Sequence, residues 1–91
     1  MERELTILNK LGLHARPAAE FVRCARSFKS TILIRKDGAE YSAESILDVL
    51  SASLDYESRM ILVAEGPDAK KAIEDLAALL VQFRKQEAEG D

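Results

Sequence analysis

Four segments of the chain have the hydrophobic pattern of β-strands. In the first, Leu5 and Ile7 fall on one side and polar residues on the other, as in a strand with one buried face. β-Branched and apolar residues mark the second, and the Asp37-Gly38 pair after it is a hairpin-turn signal that leads into a short return strand. The predicted strands cover residues 2–9, 31–36, 39–42 and 60–64.

Three other segments repeat their apolar residues at helical spacing. The first of them has Pro17 near its start, where the missing N–H of proline does no harm. The predicted helices cover residues 16–28, 45–51 and 68–84. The tail that follows Lys85 is polar, so we expect residues 86–91 to fray.

The predicted elements follow the order βαββαβα, which assigns the chain to the α+β class. Amphipathic helices and strands with one apolar side each suit two layers, in which the helices pack on one face of an antiparallel or mixed sheet. The chain has 91 residues, fewer than a typical domain, and it shows no internal repeat or linker. We therefore expect residues 1–91 to form a single domain.

Composition and charge narrow the classes of partner. Sixteen acidic and thirteen basic residues give a net charge of −3, so the chain lacks the basic field that attracts nucleic acid or an anionic membrane. No apolar run approaches the ~20 residues of a membrane span, and no signal-peptide pattern opens the chain. One cysteine, Cys24, and one histidine supply neither an intramolecular disulfide nor a zinc ligand set. We expect a cytoplasmic protein without a metal or a cofactor.

The single histidine lies where the first predicted strand leads into the first predicted helix. Free N–H groups and the helix dipole make that end of a helix favourable for anions, and His14 precedes it directly. Arg16 adds a forked cation suited to phosphate oxygens. A neutral imidazole beside such groups is a nucleophile suited to accept a phosphoryl group. From the residue types alone, a solvated loop histidine and a solvated arginine remain open as alternatives.

These residues belong to a longer, specific segment. The run Gly-Leu-His-Ala-Arg-Pro-Ala over residues 12–18 resembles the active-site signature of the HPr family, the histidine-containing phosphocarriers of the bacterial phosphoenolpyruvate-dependent phosphotransferase system. Residues 45–47 and 64–69 resemble the family where its second and third helices begin. The resemblance implies an open-faced β-sandwich, in which three helices cover one face of a four-stranded sheet.

The resemblance also implies a stoichiometric phosphoryl carrier rather than an enzyme. His14 would take a phosphoryl group from enzyme I on Nδ1, as a pros-phosphohistidine, and pass it to the IIA component of a sugar permease. Arg16 would stabilise the phosphorylated ring. Both partners bring their own active sites, so the carrier needs no substrate pocket, and we expect it to be a monomer.

A carrier also needs a surface on which its partners dock. Positions 16, 19, 23 and 26 follow one another at helical spacing, which makes a basic row interrupted by one alanine. Such a row suits acidic partners, although an ordinary solvated face has the same pattern. Apolar residues of the short second helix add contact if they face outward, and core packing is their alternative. The residues expected to bind partners are Ala15, Ala19, Arg23, Arg26, Ile46, Leu47 and Leu50.

Ser45 has two compatible interpretations. The spacing Ser45-x-x-Asp48 fits a capping box, in which the serine caps a helix and the acid bonds back to the serine. The resemblance implies in addition a regulatory phosphorylation of Ser45 by an HPr serine kinase/phosphorylase. The family often has glycine where this chain has Asp48, Ser53 and Glu57, and the connection 52–59 contains no glycine. These differences bear on the choice of partners and not on the histidine site.

Three other functions share parts of this pattern. A purely regulatory protein of the same fold works through Ser45 and docking, and some relatives of that kind lack the histidine that this chain keeps. A second regulatory branch keeps the histidine but serves a nitrogen-related phosphorelay, and the sequence does not separate that branch from sugar uptake. A small phosphohydrolase would use Arg16 and helix amides to bind an acyl phosphate, and would release the phosphate quickly.

Overall fold

The structure is a computed structural model, and it describes residues 1–88. In this part of the chain the strands and helices follow the predicted order βαββαβα, which confirms the α+β assignment. The strands are β1 (Glu2–Thr6), β2 (Thr31–Lys36), β3 (Ala39–Ser42) and β4 (Arg59–Glu65). The helices are α1 (Ala15–Arg26), α2 (Ile46–Ser51) and α3 (Ala69–Ala88).

The strands form one antiparallel sheet in the order β1-β4-β2-β3. In the centre of the sheet, Leu33 of β2 lies opposite Val63 of β4. The period of two separates the faces: Ile32 and Ile34 are fully buried, whereas Leu33 and Arg35 remain partly exposed. The helices cover the first of these faces, and the other face stays open, as the sequence predicts.

Helices α1 and α3 close the core over the covered face. The buried residues of α1 are Ala18, Phe21, Val22 and Ala25. The buried residues of α3 are Ala72, Ile73, Leu76, Leu80 and Phe83. Removing one such large side chain from water contributes roughly 1.5–3 kcal/mol. This packing places the start of α1 beside the end of α3, and the loop around His14 lies at that junction.

The first strand and the first helix are both shorter than their sequence patterns predict. β1 ends at Thr6, because the chain turns soon afterwards and the amide of Gly12 bonds to the carbonyl of Asn9 at 3.0 Å. Helix α1 begins at Ala15 and ends at Arg26. It therefore starts one residue before the predicted first residue, Arg16, and ends two residues before the predicted last residue, Phe28. Between β1 and α1 there is consequently a well-bonded loop rather than an extension of the strand.

The expected fraying after Lys85 is wrong for residues 86–88, which continue α3 to Ala88. The physical reason is a tertiary contact. The carboxylate of Glu87 accepts hydrogen bonds from the backbone amides of Lys10 and Leu11, and these bonds hold the last turn against the loop before α1. The rest of the predicted tail, residues 89–91, lies outside the described residues.

Candidate functional site

His14 is the residue at which the loop becomes helix α1. Its backbone is extended (φ −79°, ψ −169°), and its carbonyl accepts the amide of Ala18 at 2.9 Å, but its side chain caps no amide of the helix. The imidazole is exposed. It therefore stands free at the positive end of a helix whose first amides have no intrahelical partner.

The loop that carries His14 is held by a close backbone approach at Gly12. Gly12 has a φ of +69°, and a Cβ added there would lie 2.7 Å from the carbonyl oxygen of Leu54. The next amide, that of Leu13, donates to the same carbonyl at 2.9 Å. Only glycine fits this position, because any side chain would both strain the backbone and collide with the neighbouring chain. The position of His14 is thus set by contact with the segment that follows α2.

Asn9 is a structural residue of this loop that the sequence reasoning missed. Its side chain is 1% exposed, and its Nδ2 donates to the carbonyl of Gly12 at 2.7 Å. Its Oδ1 has no hydrogen-bond partner. The signal that would have identified it is local, since asparagine at the first position and glycine at the fourth are favoured in β-turns.

A surface cleft joins the start of α1 to the end of α3. His14, Arg16 and Glu20 line it from one side and Glu87 from the other. The remaining residues of the cleft are Asn9, Leu11, Pro17, Phe83 and Gln86. The structure therefore brings His14 and Arg16 together, as the sequence predicts, but it also adds a carboxylate from a distant part of the chain.

Glu87 is the second residue that sequence reasoning missed. Its carboxylate accepts the amide of Lys10 at 2.6 Å and that of Leu11 at 2.9 Å. The bonds from the Leu11 and Lys10 amides lower the pKa of Glu87 below its usual value, and the nearby His14 ring acts in the same direction. No local pattern could have revealed this contact, because the partners are far apart in the chain.

The arginines of α1 face solvent. Arg16, Arg23 and Arg26 are exposed and Ala19 is half-buried, as the helical spacing predicts. Among the described residues none of the three arginines takes part in a salt bridge. Arg26 is nevertheless anchored, because its Nε donates to the carbonyl of Glu44 at 2.9 Å. Arg16 and Arg23 thus keep their positive charge free of a carboxylate partner.

The apolar residues of α2 point outward, and the core-packing alternative is wrong for all three of them. Ile46 is 43% exposed, Leu47 77% and Leu50 40%, while Val49 between them is completely buried. Val49 alone anchors the helix in the core. We call the exposed residues of α2, Ile46, Leu47 and Leu50, the α2 patch.

Ser45 caps α2, but the reciprocal half of the predicted capping box is wrong. The Ser45 hydroxyl accepts the amide of Asp48 at 3.3 Å. The Asp48 carboxylate accepts the amide of Ser42 at 2.9 Å instead of bonding back to the amide of Ser45. Only three residues separate the end of β3 from the start of α2, so the Ser42 amide lies within reach of the Asp48 carboxylate.

Cys24 offers no reactive thiol. It is partly buried on α1, and burial and then the Asp75 carboxylate raise the pKa of its thiol. A protonated thiol is a poor nucleophile. Within residues 1–88, no group of three or more metal-ligating side chains comes together, and no helix is long and apolar enough to cross a bilayer.

Comparison with known proteins identifies the relatives of this chain. The family described as PTS HPr component phosphorylation site matches residues 1–82. The HPr-like protein Crh of Halalkalibacterium halodurans is 40% identical over 80 residues, which cover 88% of this chain and 95% of Crh. The phosphocarrier protein HPr of Vibrio cholerae is 38% identical over 82 residues, which cover 90% of this chain and 96% of that protein.

Solved structures share the fold as well. A crystal structure of HPr-C-His from Thermoanaerobacter tengcongensis matches with a TM-score of 0.89 at 39% identity, covering 93% of this chain and 96% of its own. An HPr dimer from the same organism matches with a TM-score of 0.72 at 42% identity, covering 84% and 87%. The family match extends over the loop around His14, the whole sheet and the first two helices. On these grounds the chain belongs to the HPr family of phosphocarrier proteins of the phosphotransferase system.

Proposed function

We propose that His14 of this chain accepts a phosphoryl group from phosphorylated enzyme I and transfers it to the IIA component of a sugar permease. The observation that carries the proposal is the free imidazole of His14 at the N-terminus of α1, exposed and bonded to no amide of the helix. In the step, the bond from phosphorus to Nδ1 forms as its bond to enzyme I breaks. On transfer to IIA, the bond from phosphorus to Nδ1 breaks as a bond from phosphorus to IIA forms. His14 then returns to its unphosphorylated state.

Arg16 stabilises the phosphorylated ring in this proposal. It lines the same cleft as His14, and among the described residues it forms no salt bridge. A guanidinium offers forked donors that match the oxygens of a phosphoryl group. The first amides of α1 add partial positive charge at the same point.

Partners dock, in this proposal, on the surface that surrounds His14. The cations of Arg23 and Arg26 suit the acidic surface of a partner, and complementary charge raises the rate of encounter. The α2 patch supplies the apolar contact, and its exposure supports this role. Ala15 and Ala19 carry small side chains, so a partner can approach the helix closely around the histidine.

Ser45 is, in this proposal, a site of regulatory phosphorylation. Its hydroxyl lies at the start of α2, next to the α2 patch, and is partly exposed. Phosphorylation there by an HPr serine kinase/phosphorylase would place negative charge on the docking surface and weaken the association with enzyme I. Asp48, whose backbone amide donates to the Ser45 hydroxyl, already puts one negative charge in the first turn of α2, so the added phosphate would meet like charge.

The setting of the reaction follows from its partners. We expect the chain to act as a monomer in the cytoplasm. Its single cysteine has no disulfide partner in the chain, which suits a compartment that keeps thiols reduced. The solved HPr dimer makes the oligomeric state worth measuring. Sedimentation at micromolar concentration would decide it, and a stable dimer would contradict this part of the proposal.

The deciding experiment is phosphorylation in vitro. The chain is incubated with phosphoenolpyruvate and enzyme I, and mass spectrometry locates the added group. We expect one acid-labile, base-stable phosphoryl group on His14 in the parent and in a Cys24→Ser control, and none in His14→Ala. Undiminished labelling of the alanine variant would overturn the proposal. Rapid release of inorganic phosphate would instead favour a phosphohydrolase.

A further inference from the structure

The end of α3 is held near His14 by one side chain. Beyond Phe83, which is 3% exposed, the last turn of α3 buries no further residue, and only Glu87 among residues 84–88 is partly covered. The Glu87 carboxylate bonds to the amides of Lys10 and Leu11 at 2.6 Å and 2.9 Å. We call these two bonds the Glu87 latch. The last turn is therefore tied to the loop by hydrogen bonds to a charge and not by apolar burial.

The latch places a negative charge in the same cleft that would receive the phosphoryl group of phosphorylated His14. Glu87 lines the same cleft as His14 and Arg16. The charged side chains that line this cleft, besides His14, are Arg16 and Glu20 from α1 and Glu87 from α3. A phosphoryl group carries close to two negative charges at neutral pH. It would add them to a cleft that already holds two carboxylates.

We propose that Glu87 opposes the phosphorylated state of His14, and that phosphorylation of His14 opens the Glu87 latch. The inference rests on the phosphoryl-acceptor role of His14. Like charges repel across the cleft, so the carboxylate leaves the loop amides when the phosphoryl group arrives. Coupling between two sites is reciprocal: if phosphorylation weakens the latch, the latch weakens phosphorylation by the same factor. A carrier with a less stable phosphohistidine passes the group on more readily.

The test compares two variants that lose the same charge from the same helix. Glu87→Gln keeps an acceptor oxygen but removes the charge from the cleft, whereas Glu74→Gln removes a charge from an exposed position of α3 outside the cleft. The fraction of phospho-His14 is measured at equilibrium with enzyme I at a fixed ratio of phosphoenolpyruvate to pyruvate. Thermal melts of both variants confirm that they are folded.

For Glu87→Gln we expect the equilibrium to shift toward phospho-His14 by about three- to tenfold at low salt, the size of a Coulomb interaction between charges in a solvent-exposed cleft. The shift should become smaller as salt is added, because salt screens exposed charges. Glu74→Gln should stay close to the parent. In the parent, hydrogen exchange at the Lys10 and Leu11 amides should become faster on phosphorylation. An unchanged equilibrium in Glu87→Gln, or amides that stay equally protected, would overturn the inference.

The two proposals fail differently in this experiment. If His14 of the parent takes no phosphoryl group from enzyme I, the proposed function is wrong and the opposing role of Glu87 falls with it. If the parent is phosphorylated and Glu87→Gln gives the same equilibrium, only the role of Glu87 is wrong.

Discussion

The hydroxyl of Ser45 accepts the amide of Asp48 at 3.3 Å, while the carboxylate of Asp48 turns to the amide of Ser42 at 2.9 Å. These two bonds join the end of β3 to the first turn of α2. They hold a helix of six residues, too short to be stable by itself, in the orientation that exposes the α2 patch. The cap of α2 is thus also part of the proposed docking surface.

The cap predicts two separable effects at Ser45. Ser45→Ala should lower the free energy of unfolding by ~1 kcal/mol, the usual loss when a serine cap is removed, and urea titration measures it. Ser45→Asp keeps a capping oxygen and should melt like the parent. It adds negative charge beside the α2 patch, so enzyme I should need a higher concentration of this variant for half-maximal phosphorylation.

Ala78→Asp is the matched control for Ser45→Asp. Ala78 is exposed on α3, so this variant adds the same negative charge away from the α2 patch. It should be phosphorylated like the parent. If Ser45→Asp is phosphorylated as well as the control, Ser45 is a cap and no more.

Arg16 should matter to transfer and not to folding. A charge-assisted contact to a phosphoryl group is worth about 1.5–3 kcal/mol, so Arg16→Ala should slow phosphoryl transfer at least tenfold, while the melting temperature stays within error because the side chain is exposed. Rapid-quench kinetics with enzyme I measure the rate. Arg16→Lys keeps the positive charge but lacks the forked donors of a guanidinium. It should therefore recover part of the transfer rate that Arg16→Ala loses.

Arg23→Ala separates docking from chemistry. Arg23 is exposed on the same helix, and its loss should raise the concentration for half-maximal phosphorylation without lowering the maximal rate. Equal maximal rates for Arg16→Ala and Arg23→Ala would contradict the role given to Arg16.

Two strained positions predict stabilising substitutions. Ser53 has a φ of +52° and Glu57 a φ of +70°, the left-handed region that favours glycine. That conformation costs a non-glycine residue about 1–2 kcal/mol, more than the ~0.4–1 kcal/mol that glycine loses through its freedom in the unfolded chain. Ser53→Gly and Glu57→Gly should therefore each raise the free energy of unfolding by roughly 0.5–1 kcal/mol.

Urea titration checks this, with Ser53→Ala and Glu57→Ala as controls that remove the side chain but keep the strain. A glycine variant no more stable than its alanine control would show that the backbone at that position is unstrained.

Acid should weaken the fold through Asp68. The Ser30 hydroxyl, 2.6 Å from Oδ1, and next the Lys29 amide hold the pKa of Asp68 below its usual value. A lowered folded-state pKa means that the carboxylate stabilises the protein above the unfolded-state value of about 4 and that this contribution disappears as the pH falls through the folded-state pKa. Melting temperature should thus fall on acidification in this range.

Asp68→Asn should reduce the slope of melting temperature against pH in the acidic range. Glu74→Gln, which changes an exposed carboxylate of α3, should leave this slope unchanged. Identical slopes for the parent and Asp68→Asn would show that the bonds to Asp68 do not distinguish the folded from the unfolded state.

The sequence by itself determined the order of elements and the centre of the site. Strand and helix periods are local patterns, so the chain could be divided correctly into βαββαβα before any contact was known. His14 and Arg16 lie two positions apart, so the loop and the first turn of α1 suffice to bring them together. The sequence does not decide whether the α2 patch faces outward, because a short helix shows too few turns to tell its buried face from its exposed one.

Only the tertiary structure decided what surrounds this centre. Glu87 meets the loop before α1 through the packing of α3 on α1, and no sequence period encodes a contact between residues so far apart. The same packing extends α3 through residues that are polar enough to predict a frayed tail. Gly12 is required because Leu54 approaches it from another segment. Local patterns specify which residues can react, whereas the long-range packing sets the charges and backbone contacts around them.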